Sequence, residues 1–468
     1  MIQNVPMGSL HAILAQVDLS TVEGQLSYLV ERAASIEGVV LVALSLIAAV
    51  IVIPRERGFD VAATALLFIM SFPLHYATLM TEQNTLVGPL QTLRSVSRPV
   101  SYALLALVLL RSFLIPNERR PRPTTPSAIA FYCFQLYYVL QMLAFDSTAK
   151  GALALFSVTG MVVVFASGFG REMQDRDSAR RSLEVLAWLA VTFIGVNFVQ
   201  ITLSFGSSFL GGRLLGTAGN AQFMGSICCF LLLGCTYLFT DLPRGRPLRW
   251  VSLGCIVVLS GFLVASGSRG NTLATVVGLI VMFRTDLGRL LGLAIVGAVA
   301  IAVAGLLFGE EAIGAQRIIS GEDTRTAVWQ AALAVFQDYP IFGSYAELGS
   351  GQPSFGVESS FIRALALLGI IGGGLFIIAA TLMFGDAIQS IRLARMRPDL
   401  RRLCDFHAGL TLTLLLLNVY EGVAFGVLTL PVMFMYLSCA LGGFLRDERL
   451  FAGEPIDGSP AEEGWATA

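Results

Sequence analysis

Along most of the chain, apolar residues come in long unbroken runs, neither alternating as in a half-buried strand nor forming the single stripe of a surface helix. Runs of about 17–25 residues match a ~30 Å hydrocarbon slab when helical, and only helices or closed barrels satisfy their own backbone there. They fall near 36–53, 60–80, 99–115, 128–145, 151–169, 183–204, 219–240, 249–267, 271–284, 288–308, 359–384, 404–421 and 424–445. The pattern predicts an all-α polytopic integral membrane protein with about 13 transmembrane helices (12–14). Ten spans occupy residues 36–308 and three occupy 359–445.

Three tracts interrupt the runs. Residues 1–35 precede the first span, and 8–34 read as an amphipathic segment on the outer face of the bilayer. They lack a basic stretch followed by an apolar core, so no cleavable signal peptide is expected. Residues 309–358 form a large loop containing "DTRTAVWQAALAVFQDYPIFG", in which Val328, Ala332 and Val335, with Trp329, Leu333 and Phe336, recur at helical spacing. The spacing predicts an amphipathic helix of about 14 residues, capped by Asp323 or Thr324 and stopped by Pro340. Residues 446–468 read as an acidic, disordered tail.

Composition sharpens this picture. The 468 residues are 55% hydrophobic and 13% charged, where soluble domains carry roughly a quarter charged. A net charge of -1 gives no basic surface for nucleic acid, and no nucleic-acid partner is expected. Every basic residue except Lys150 is arginine, and 22 of the 31, Arg111 included, belong to one alternating set of loops. The positive-inside rule assigns that set to the cytoplasm, which puts the N-terminus and the large loop outside and the tail inside. Seven cysteines sit in or beside apolar runs and three histidines lack ligand spacing. The cysteines therefore read as core residues, and no metal site or cofactor is expected.

The outward set of loops holds the candidate chemistry. Arg213 lies in "LGGRLLGTAGNAQ", Arg269 in "SGSRGN", Arg317 and Arg325 in the large loop, and Arg363 one turn into the next span. Charge at the membrane edge is costly unless it is paired. Glu310, Glu311, Glu322 and Asp323 are placed to pair with Arg317 or Arg325, whereas Arg213 and Arg269 have no acid within ten residues. Such arginines either pair across the fold, snorkel to water, or meet an external anion. A diphosphate suits them, because each guanidinium offers a fork of N–H donors. Glu358, at the end of the large loop in "FGVESSFIRALALLG", has two compatible readings. It is an acid stabilised at a helix N-terminus beside capping Ser359 or Ser360, or a general base at the membrane surface. Glu421, in "NVYEGVAFG", reads as a structural partner for one arginine.

These stretches resemble the O-antigen ligase and Wzy-type polymerase superfamily. "ASGSRGNTLATVVGLIVMF" is similar to its signature span, and "GGRLLGTAGNAQFMG" to its Arg-x-x-Gly…Asn element. "TRTAVWQAALAVFQDYPIFGSY" is similar to its large periplasmic loop, and the Ser-Ser-Phe…Leu-x-Gly run to the entry of the next span. The resemblance covers residues 200–385. It implies a C-type (GT-C-like) glycosyltransferase fold that moves glycan from undecaprenyl diphosphate on the periplasmic side of a bacterial inner membrane. It also implies that Arg213 and Arg269, with Arg325, bind the donor diphosphate; Arg317 and Arg363 are further candidates. Ligases of the family carry a His-Asn pair where this chain has Glu358-Ser359.

That departure moves the expectation from ligase to polymerase. The expected reaction joins undecaprenyl-diphosphate-linked repeat units, donor and acceptor alike, into O-antigen, capsule or exopolysaccharide. It is metal-independent and inverting, with Glu358, Arg269 and Arg213 as catalytic residues. Membrane lipids, a chain-length regulator and a flippase are the expected partners. Two alternatives stand beside it: a ligase acting on lipid A-core or protein, and a transporter without transferase activity.

Overall fold

The computed structural model describes residues 86–114, 124–145, 148–286, 325–345, 358–426 and 428–452, with single positions at 64, 288, 291–292 and 295. The spans expected near 36–53, 60–80 and 288–308, the segment 8–34, the residues Asp323, Thr324 and Arg317, and the tail beyond 452 lie outside them, wholly or in the main.

The described chain is a helical bundle. In order it runs α1 (Gly88–Leu114), α2 (Pro126–Phe145), α3 (Thr148–Val162), α4 (Arg176–Leu183), α5 (Val185–Leu203), α6 (Ala221–Asp241), α7 (Pro247–Ala265), α8 (Arg269–Met282), α9 (Thr326–Asp338), α10 (Ser360–Met396), α11 (Arg401–Tyr420) and α12 (Leu430–Ala452). Among the described residues six helical stretches are long and apolar enough to cross a membrane: Pro126–Phe145, Arg176–Leu203, Ala221–Asp241, Pro247–Ala265, Ser360–Met396 and Arg401–Tyr420. Each overlaps a run read from the sequence. Boundaries differ elsewhere: α1 starts well before 99 and carries Pro99 inside it, and α12 continues past 445 to Ala452. The all-α expectation has one exception, a two-residue antiparallel hairpin of β1 (Phe209–Leu210) and β2 (Arg213–Leu214).

Of the six candidate spans α6 is the most enclosed. It is apolar on every face, as a helix surrounded by others must be. Six of the seven cysteines are buried core residues and Cys133 is exposed. Helices α8 and α11 approach closely through small residues. A Cβ on Gly278 would meet the Thr413 hydroxyl at 2.3 Å, and one on Gly409 would meet the Gly278 carbonyl at 2.8 Å. The Thr413 hydroxyl donates across this seam to the Ala274 carbonyl (3.1 Å). Small faces of this kind let membrane helices pack in the absence of a hydrophobic drive between them.

The 37 residues of α10 would span about 55 Å if straight, longer than a bilayer needs. The helix breaks at Gly369, whose φ of 66° and ψ of -164° are not helical. The break receives the turn that follows α9. Ile370 N–H donates to the Pro340 carbonyl (2.8 Å), and Gly343 and Gly369 lie against each other's backbone. A Cβ on Gly343 would sit 2.2 Å from the Leu367 carbonyl oxygen, and one on Gly369 equally close to that of Ile341. Both glycines have positive φ, so both the space and the conformation demand residues without a side chain.

Helix α9 is the amphipathic helix expected in the large loop, ending as foreseen just before Pro340. It packs on the first turns of α10, with Ala332 and Ala366 buried beside Val328, Trp329 and Ile362. Its N-cap position is Arg325, which makes no side-chain cap. The two ends of the bundle differ in charge. One gathers the arginine-rich turns in ion pairs: Arg176–Asp241 and Arg246–Glu184 at 2.9 Å, Arg284–Asp405 at 2.7 Å and Arg402–Asp286 at 3.5 Å. The other end carries the residues singled out above.

Candidate functional site

At that second end the N-termini of α6, α8 and α10 meet the C-termini of α7 and α11. The junction is held by buried polar side chains. Asn220 caps α6, its side-chain oxygen accepting from Gln222 N–H (2.7 Å). The Asn271 amide, in the first turn of α8, donates to the Gln222 carbonyl (2.9 Å) and the Ser268 hydroxyl (2.7 Å), and its oxygen accepts from Ser226 (2.8 Å). The Ser360 hydroxyl donates to the Glu421 carbonyl and accepts from Ala424 N–H, both at 3.1 Å. This corrects one expectation: Ser359 is the N-cap residue of α10 but makes no side-chain cap, and Ser360 ties the turn after α11 instead of capping.

Glu358 lies immediately before Ser359. Its Oε2 accepts from Arg325 Nε at 2.6 Å, and its Oε1 accepts from the side-chain amide of Gln222. Arg325 reaches Glu421 Oε1 through Nη2 at 3.4 Å, and its guanidinium lies 5.7 Å from the centre of the Tyr420 ring. Among the described residues Arg325 thus pairs with acids far along the chain; Glu310, Glu311, Glu322 and Asp323, the nearby acids placed to pair with it, lie outside the described residues. The arrangement is one guanidinium between two carboxylates, 32% and 6% exposed.

The two acids are not equivalent. Burial, and then the charge of Glu358, pushes the Glu421 carboxyl up to about 8, against opposing pulls from Arg325 and Arg213. The contact distances agree with this. Arg325 gives its short bond to Glu358 and its long one to Glu421, so the guanidinium does little to offset the burial of Glu421, which keeps a proton near neutrality. Between the ordinary value of 4.5 and about 8, the unfolded chain has lost a proton that the folded one retains, so stability falls as pH rises through that window. The thermal midpoint of the purified protein is expected to decline from pH 5 to 8 and then level. Glu421→Gln should remove much of that slope, and a melting profile that keeps its full slope in this variant would refute the assignment.

Arg213, Arg269 and Arg363 lie at the same end of the bundle. Arg213, on β2, donates from Nε to the carbonyl of Ser266 at the end of α7 (2.9 Å), and its charge bears on Glu421. The segment after it is fixed by Thr217 N–H donating to the Asn197 side chain (2.8 Å). Arg269 is the first residue of α8, next to Gly270, whose Cβ position lies 3.5 Å from Glu421 Oε1. Arg363 turns to Phe425, its guanidinium 4.8 Å from the ring centre. The structure thus brings Glu358, Arg325 and Glu421 into one cluster, with Arg213 and Arg269 at its edge. Arg317 lies outside the described residues.

The sequence reading missed Gln222. Its signal was an amide in the first turn of an otherwise apolar span, two residues after a helix cap. Chemically, the cluster presents one carboxyl group held through both oxygens, near arginines and three helix N-termini. Helix N-termini favour anions. Among the described residues no group of His, Cys, Asp and Glu side chains is arranged to hold a metal ion.

Comparison with known families matches residues 254–377 to the model of a family described as O-Antigen ligase. The matched stretch contains Arg269, Arg325, Glu358 and Arg363, and runs from within α7 into α10. No curated protein matches the chain.

Proposed function

From the O-antigen ligase family domain that residues 254–377 carry, which supports a membrane glycosyltransferase of ligase or polymerase type, we propose that the protein is a polysaccharide polymerase. It acts on undecaprenyl-diphosphate-linked repeat units at the periplasmic face of the inner membrane. The observation that carries this reading is the Glu358 carboxyl group, held through both oxygens by Arg325 and Gln222, at the position where the resemblance puts the ligases' histidine. The arginine-rich end of the bundle is the cytoplasmic end by the positive-inside rule, which puts Glu358 outside.

In this mechanism the donor diphosphate lies between Arg213 and Arg269, at the N-terminus of α8, with Arg325 close by. A hydroxyl of the acceptor unit attacks the anomeric carbon of the donor glycan. Glu358 takes the hydroxyl proton as the new C–O bond forms. The bond from the anomeric carbon to the phosphate oxygen breaks, and the lipid diphosphate leaves with its electron pair, stabilised by the guanidiniums. The configuration at that carbon inverts. Keeping Glu421 protonated avoids a second negative charge beside the departing diphosphate.

The family's description favours one other reading, a ligase. The product separates the two. Purified protein in proteoliposomes with lipid-linked repeat units should give a ladder of lengthening chains still on the lipid carrier. Transfer of intact preformed chains to lipid A-core would establish the ligase instead, and no transfer to either acceptor would remove the transferase reading.

A further inference from the structure

We infer that Gln222 is a positioning residue: its side-chain amide and the Arg325 guanidinium each hold one oxygen of the Glu358 carboxylate, which aims that carboxylate at the acceptor hydroxyl. The inference rests on the reading of Glu358 as the base.

Glu358 sits outside α10, in the extended chain leading to the N-cap, and is about a third exposed. Nothing in its own helix fixes its side chain. Gln222 is the opposite case. Its N–H donates to Asn220, and its carbonyl accepts from both Ser226 (3.0 Å) and Asn271. Ser226 and Asn271 are buried and bonded to each other. The amide therefore projects from a rigid anchor, and the same web places Arg269 two residues from Asn271. A carboxylate accepts only, so it takes the amide nitrogen as donor, and each of its oxygens keeps lone-pair capacity for one incoming proton.

The residue type is part of the argument. Among the described residues the charged groups facing Glu358 are Arg325 ahead of α9 and Glu421 at the end of α11, with Arg213 bearing on Glu421. Two carboxyls already share one guanidinium. A third carboxylate at 222 would repel Glu358, while an amide donates without adding charge. A purely structural polar residue would tolerate Gln222→Glu at least as well as Gln222→Met. A positioning donor predicts that Gln222→Glu is the worse of the two.

The test uses full-length protein in lipid nanodiscs and two readouts. The first is the infrared carboxylate titration of Glu358, isolated by subtracting the Glu358→Gln variant. Losing one hydrogen bond to a charged group should move its midpoint up by roughly one pH unit in Gln222→Met, and further in Gln222→Glu. The second is transfer between lipid-linked repeat units. Here kcat should fall about 10-fold or more in Gln222→Met, with KM little changed, and the acid limb of the pH profile should shift upward in parallel. An unmoved midpoint overturns the inference, whatever happens to the rate. A moved midpoint in a protein with no transferase activity would uphold the contact and defeat the functional reading instead.

Discussion

Glu358→Gln protein is expected to fold, reconstitute and bind lipid-linked glycan, yet to make roughly 10²–10⁴-fold less polymer than the native chain, the range general-base catalysis supplies. Glutamine keeps the length of the side chain and can still accept from Arg325 through its carbonyl oxygen. It loses the negative charge and the ability to take a proton. The substitution therefore separates the two roles open to this position. As an acid next to the N-terminus of α10, Glu358 is stabilised by the helix dipole, an effect of about 0.3–1 kcal/mol, and its loss would cost stability with little change in rate. As the base of the proposed mechanism, its loss would remove the rate instead. The measurement is chain elongation in proteoliposomes, with the thermal midpoint recorded on the same preparation. Polymer within a few-fold of native would leave only the helix-end role.

The six described candidate spans were legible because a helix in lipid must be apolar over its whole length, and runs of that length have few other readings. Helix α9 was legible because its face alternates at helical spacing and a proline ends it. Glu358, Arg213, Arg269 and Arg325 stood out as charges where charge is costly. What stayed hidden was who meets whom. Arg325 reaches Glu358 across 33 positions of chain and Glu421 across 96, separations for which local spacing carries no signal. The break at Gly369 was hidden too. The glycines of "GIIGGG" resemble ordinary small residues of a membrane helix, and only the docking of the Pro340–Gly343 turn shows why one of them leaves helical geometry. Gln222 was hidden because a single amide in an apolar run is as readily a helix-end residue as a ligand to a carboxylate.

Alanine in place of Arg269 or Arg213 should each lower transfer by about 10²–10³-fold, the cost of removing one preorganised donor to a developing anion. The argument for Arg269 begins with where it sits. It opens α8, where the helix dipole is positive and a cation is disfavoured, so helix stability alone gives no reason for an arginine there. An anion shared by the dipole and the guanidinium does. Arg213 approaches from the other side, steadied by the Ser266 carbonyl at the end of the preceding helix. The turn between Ser266 and Arg269 thus separates the two candidates. Lysine at either position should restore part of the rate, since it returns the charge without the two-pronged donor. The double variant gives the sharpest reading. If both groups grip one diphosphate, the second removal acts on a substrate already misplaced, and the combined loss falls short of the product of the single losses. Losses that multiply fully would assign the two arginines to separate anions, and near-native polymer from either single variant would take that arginine out of the mechanism.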